Sequence, residues 1–200
     1  MREFDWYEPI DFNDPDGDKV TQGDIIIECP VVKIKPMDSP PFIDPTEGAN
    51  ILGIVMTQAC DLENPKPKVK LVSICPLIPL KVVVDDIMAK AFASMPDGKK
   101  KDDKKAGVIE DIRQGNYLDF HLIQKYEDVS FPHLNIPYSV VGLRDTYHVP
   151  VESLQKIVGS RKGKRLRLLP PYREHLAQAY TFNFNRIGLP SNINVSLGDL

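Results

Sequence analysis

The chain of 200 residues sets 25 Lys and Arg against 28 Asp and Glu, a formal charge of −3, with 42% hydrophobic and 26% charged residues. That balance suits one substantial globular core and excludes a global basic field, so nucleic-acid contact would need a local basic patch. No apolar run approaches the roughly 20 residues of a membrane-spanning helix.

The N-terminus, Met1-Arg2-Glu3-Phe4-Asp5-Trp6, carries acids where a signal peptide needs bases and a hydrophobic stretch, so a cytoplasmic location is expected. Residues 1–21 read as an irregular lead-in, with a turn signal at Asn13-Asp14-Pro15-Asp16-Gly17. The 18 prolines cut helical segments short and favour a strand-rich protein. A strand is predicted over 25–34, opened by Gln22-Gly23-Asp24 and interrupted at Cys29-Pro30. Residues 36–50, with Pro36, Pro40, Pro41, Pro45 and Gly48, read as a long loop.

Ile51-Leu52-Gly53-Ile54-Val55-Met56 then runs as a strand covered on both faces, and its far end passes into Thr57, Gln58, Cys60 and Asp61. A sheet that opens there would present these groups to a ligand. Glu63-Asn64-Pro65-Lys66-Pro67 turns the chain into a second strand, 69–77, completing a hairpin. Beyond Pro79 the period becomes helical, with Val82, Val83, Ile87, Ala91 and Met95 on one face, and the helix ends at Pro96-Asp97-Gly98. Lys99 to Lys105, five lysines and two aspartates, reads as a solvated loop at the tip of a helical insertion of about 82–113. Strands follow over 117–123 and 138–149, a short helix over 150–159, a strand over 165–169 and a last helix of about 171–187. Tyr172, Leu176, Tyr180, Phe184 and Ile187 form that helix's stripe, and residues 191–200 read as a flexible tail. A single domain is thus expected to span 22–190.

Gly23-Asp24-Ile25 opening the first core strand, the strand ending Val-Met-Thr-Gln-Ala-Cys-Asp, and Leu71-Val72-Ser73-Ile74-Cys75-Pro76-Leu77 together resemble the strand order of MazF/PemK-type toxins. Ser139-Val140-Val141-Gly142-Leu143 and the stretch from Pro171 to Pro190 resemble a group of bacterial proteins that share that barrel. The resemblance implies an α+β chain, a strand-rich SH3-like barrel with a helical insertion and a C-terminal helix, in a toxin–antitoxin or defence setting. In that family an arginine opens the strand matching Ile51 and stabilises charge on the scissile phosphate, and a hydroxyl follows the Pro matching Pro76. This chain has Ile51-Leu52 and Leu77-Ile78 at those places. Apolar side chains cannot supply the electrostatic stabilisation that phosphodiester cleavage requires.

Thr57, Cys60, Asp61 and His121 remain the catalytic candidates, Cys60-Asp61 pairing in principle with one of His121, His133, His148 or His175. No Cys-x-x-Cys or His-x-x-x-His spacing and no glycine-rich nucleotide signature is present, so no metal and no cofactor is expected. The three cysteines, Cys29, Cys60 and Cys75, each touch an apolar run and are expected as buried free thiols, slow to react. Tyr117, Asp119 and His121 alternate with Leu118, Phe120 and Leu122 as a solvated polar face. Arg161, Lys162, Lys164, Arg165 and Arg167 form the nucleic-acid-binding candidate, with Tyr172 placed to stack a base. The reading favoured on these residues is association with a protein partner or a second copy, without catalysis; the alternative is a MazF-like endoribonuclease or RNA-binding protein.

Overall fold

The structure, a computed structural model, describes residues 5–11, 13–14, 17–62, 67–161 and 164–184, the side chains of 45 and 46 excepted. Eight strands form one sheet: β1 (Tyr7–Ile10), β2 (Asp24–Pro36), β3 (Ile43–Val55), β4 (Leu71–Pro79), β5 (Phe120–Ile123), β6 (Ser139–Gly142), β7 (Tyr147–Pro150) and β8 (Arg165–Leu168). Five helices accompany it: α1 (Ala59–Leu62), α2 (Leu80–Ala91), α3 (Lys99–Arg113), α4 (Val151–Ser160) and α5 (Tyr172–Phe184). The strand order is β1-β8-β2-β3-β4-β6-β5, with β7 also on β4, and every described pairing is antiparallel.

The chain is therefore α+β, as expected, but the sheet is open where a closed barrel was anticipated. Its outer strands β1 and β5 share no ladder. They approach through a side chain: the Tyr7 hydroxyl donates to the carbonyl of Gln124, just past β5, and the Tyr7 ring meets Tyr126 edge-on at 5.8 Å between centroids. Bulky rings stand where a backbone ladder would have closed the curve.

Alternation along β3 assigns the two faces. Ile54 joins the core cluster that receives Leu176 of α5, and the next residue, Val55, joins the cluster that receives Leu154 and Val158 of α4. The expected strand buried on both faces is found. Gly53 permits the neighbouring strand to come close, since a Cβ there would lie 2.5 Å from Ile74 Cγ2. The helix α4 buries Val151, Leu154 and Val158, one stripe at helical spacing. A third cluster joins Val83, Val84 and Met88 of α2 with Val108 and Ile112 of α3 and Val140 of β6.

Several boundaries differ from the sequence reading. The supposed lead-in contributes β1, an edge strand registered from Tyr7↔Leu168 to Ile10↔Arg165. Most of the supposed loop 36–50 is strand, because Lys33 opposes Glu47 and Lys35 opposes Asp44, and these oppositely charged pairs support a ladder that the prolines only perturb. Pro36 is tolerated because, among the described residues, β2 has no outer strand partner there. The lysine-rich run 99–105 is helix, not loop. It opens α3, which anchors Val108 and Ile112, while Lys101 pairs with Asp97 at 2.7 Å and Lys105 with Asp85 of α2 at 2.7 Å. On α2 the buried stripe is Val83, Val84 and Met88, leaving Val82 exposed. Strand 138–149 divides into β6 and β7, and Phe184 is exposed although Leu176 and Tyr180 pack inward as expected. The turn 63–66, the last helix beyond residue 184 and the tail lie outside the described residues.

Candidate functional site

Where β3 ends, the chain continues through Thr57 and Gln58 into the single turn of α1. Met56 N–H donates to the Ser73 carbonyl at 2.9 Å, and Ser73 N–H donates to Thr57 Oγ1 at 2.8 Å, so Thr57 extends the β3–β4 ladder by a side chain. Helix α5 crosses above this end, and between them lies a cleft of about 390 Å3. Its apolar lining residues are Met56, Val69, Leu71 and, from α5, Ala177; its polar ones are Gln22, Thr57, Gln58, Asp61, Ser73, Tyr180 and Thr181. Gln22 Nε2 donates to the Met56 carbonyl at 3.3 Å. The Tyr180 hydroxyl lies 3.2 Å from Thr146 Oγ1, which in turn lies 3.6 Å from Cys75 Sγ, so a polar chain runs from the cleft wall into the core.

The sequence candidates Thr57 and Asp61 thus share one cleft, and Cys60 and His121 are not among its lining residues. Cys60 is exposed, with Sγ 3.6 Å from Gln58 Oε1 and 3.9 Å from Asp61 Oδ1. The expectation of a buried Cys60 thiol is overturned: the polar turn that follows β3 carries it out of the core, whereas Cys29 and Cys75 stay inside and burial pushes each of their thiols up to about 11. A thiol reagent near neutral pH is expected to modify Cys60 in the folded protein and the other two only on unfolding. Mass spectrometry of the labelled native protein reads this directly, one adduct on Cys60 being the expected result.

His121 does not belong to a solvated face. It is half-buried on the same side of β5 as Ile123, and burial first, then the imidazole of His175, holds its pKa down to about 4. His148 sits opposite Ser73 in the β4–β7 register and is exposed. Among the described residues, no group of three or more His, Cys, Asp or Glu side chains could hold a metal ion.

The basic run is dispersed. Arg165 is 2% exposed and its Nε donates to Asp24 Oδ2 at 2.6 Å, while its two terminal nitrogens donate to the carbonyls of Gly17 and Lys19. Arg167 Nε donates to the other oxygen of the same carboxylate at 2.6 Å. As part of the basic run these arginines were expected to contact nucleic acid, but β8 pairs with β1 and β2, and Asp24, opposite Arg167 in register, draws both inward. Arg161 reaches the carbonyls of Ile27 and Glu28. Lys164 is exposed, and Lys162 lies outside the described residues. Tyr172 stacks on Trp6, with centroids 3.6 Å apart and planes 10° apart, which occupies a face expected for a base.

A second feature was hidden by the loop reading of 36–50. Beyond Val31, β2 and β3 project as a two-stranded ribbon, since β8 pairs only Asp24 and Ile25 of β2, and β4 pairs only Gly53, Ile54 and Val55 of β3. Lys33, Lys35, Asp44 and Glu47 occupy one face, Lys35 Nζ lying 3.0 Å from Glu47 Oε2. Val32, Ile34, Pro36 and Ile43 occupy the other, and Phe42 and Met37 stand at the tip. Ile34 is 65% exposed and Phe42 58%. Alternation of Val-Lys-Ile-Lys was the available signal in the sequence.

Compared with known proteins, the chain matches no family model, no curated protein and no solved structure.

Proposed function

We propose that the chain is a divergent relative of the MazF/PemK-type toxins that acts by binding a protein partner, and that the β2–β3 ribbon is the contacting element. The observation that carries this reading is the ribbon's division into an ion-paired face and an exposed apolar face. A two-stranded hairpin is marginally stable alone in water, and one that projects with Val32, Ile34, Ile43 and Phe42 uncovered gains from a surface that covers them. Burying each such side chain is worth about 1.5–3 kcal/mol before association costs.

The packing of the positions matched to the toxins' catalytic groups supports binding over cleavage. Ile51 packs toward the α4 side of the sheet and Ile78 against the α2–α3 cluster. The RNA reading loses support from Arg165 and Arg167, whose guanidiniums serve Asp24. No described helix is long and apolar enough to cross a membrane.

Incubating the purified protein with mixed RNA, with and without divalent cation, tests the absence of cleavage. Intact RNA is expected. Metal-independent cleavage abolished by a substitution between Thr57 and Asp61 would restore the endoribonuclease.

A further inference from the structure

The cleft below α5 has a chemistry of its own. Asp61 lies on its wall and forms no ion pair with any described residue, and no Lys, Arg or His is among the described lining residues. Thr57, Gln58, Ser73 and Tyr180, each with a side-chain oxygen, line the cleft with Asp61. Thr57 Oγ1 already accepts from Ser73 N–H and still carries a proton to donate; the Gln58 amide presents both a donor and an acceptor. Met56, Val69, Leu71 and Ala177 supply the hydrocarbon part of the lining. A phosphate would meet a carboxylate with no cation among the described lining residues to offset the repulsion, whereas a cationic nitrogen would meet an anion and polar oxygens beside apolar side chains that strengthen the attraction. At about 390 Å3 the space is of ligand-pocket size.

We infer that this cleft binds an organic cation through a guanidinium or ammonium group seated against Asp61, with an apolar stem lying over Met56, Val69 and Leu71. The group arrives on a small molecule or on an arginine side chain of a peptide. This site is separate from the ribbon, and neither needs the other.

The test is a titration of isotope-labelled full-length protein, followed by amide resonances, at pH 8. The probes are agmatine, an acetylated Gly-Arg-Gly amide and inorganic phosphate. Either guanidinium probe is expected to shift the amides of Thr57, Asp61 and Ser73 saturably, and the one that does so at lower concentration identifies the source. Phosphate is expected to leave them unmoved. Asp61→Asn should weaken the response by about tenfold, the size of one half-buried ion-pair contact. Thr181→Arg, which places a cation on the exposed wall, should abolish it while the fold, checked by the remaining resonances, is retained. Failure of both guanidinium probes to saturate, saturation of the same amides by phosphate, or full binding by both variants would overturn the proposal.

Discussion

Replacing Asp24 with Asn is expected to destabilise the protein by about 3–5 kcal/mol, the cost of leaving a buried charge without its counterion. Asp24 is fully buried and Arg165 is 2% exposed, so water cannot take over from the missing carboxylate. Both carboxylate oxygens are used, one by each Nε at 2.6 Å, and Oδ2 also accepts from Thr21 N–H at 3.1 Å. The network gathers the segment around residues 17–21, the opening of β2 and strand β8 at one point. An amide at position 24 retains one acceptor and adds a donor that faces two guanidiniums. Lys164→Ala, exposed in the same basic run, is expected to change stability by less than about 0.5 kcal/mol. Urea denaturation distinguishes the two. Equal midpoints for Asp24→Asn and the parent would detach the arginines from the fold and return them to ligand contact.

The second large effect depends on pH. His121 is held neutral in the folded state, its pKa near 4 against about 6.5 for an unperturbed imidazole. Between those values the unfolded chain binds more protons than the folded one. Stability is therefore fully present above about pH 6.5 and falls as pH drops toward 4, by up to about 3 kcal/mol for a shift of this size. Carboxylates add their own acid dependence, so the diagnostic quantity is a difference. His121→Leu should flatten the decline between pH 6.5 and 4, since an apolar side chain fills the same inward position beside Ile123 without titrating. Parallel stability profiles for the two proteins would place His121 in water and contradict its burial.

How much of this could be read from residues alone varies with the range of the interaction. The apolar run from Ile51 to Met56 announced a strand buried on both faces because each residue reports its own environment. The hairpin to β4 was legible for the same reason, and Thr57 follows the end of the strand as expected, whereas Asp61 stands in the helical turn α1. Long-range pairing was not legible. Asp24 and Arg165 are separated by 141 positions, and nothing local distinguishes an arginine reserved for a buried carboxylate from one offered to RNA. Tyr172 lost its expected role to Trp6, again a distant partner. The cleft's far wall, Tyr180 and Thr181, comes from a helix whose docking only tertiary structure reveals. Proline and glycine content misread 36–50, where cross-strand charge pairs outweighed local turn chemistry. The helical start of α3 was similarly masked by charge, although Asp97 and Lys101 stand at helical spacing.

The ribbon is the element on which the proposed activity rests, and site-specific photo-crosslinking in living cells tests it most directly. A photoreactive residue replacing Ile34 on the apolar face is compared with one replacing Val129, which is 97% exposed in a loop distant in sequence from the ribbon. The account predicts a discrete adduct of higher mass from position 34 and none from position 129, with the adduct lost when Val32→Asp is added. No adduct from position 34, or the same products from both positions, would contradict it.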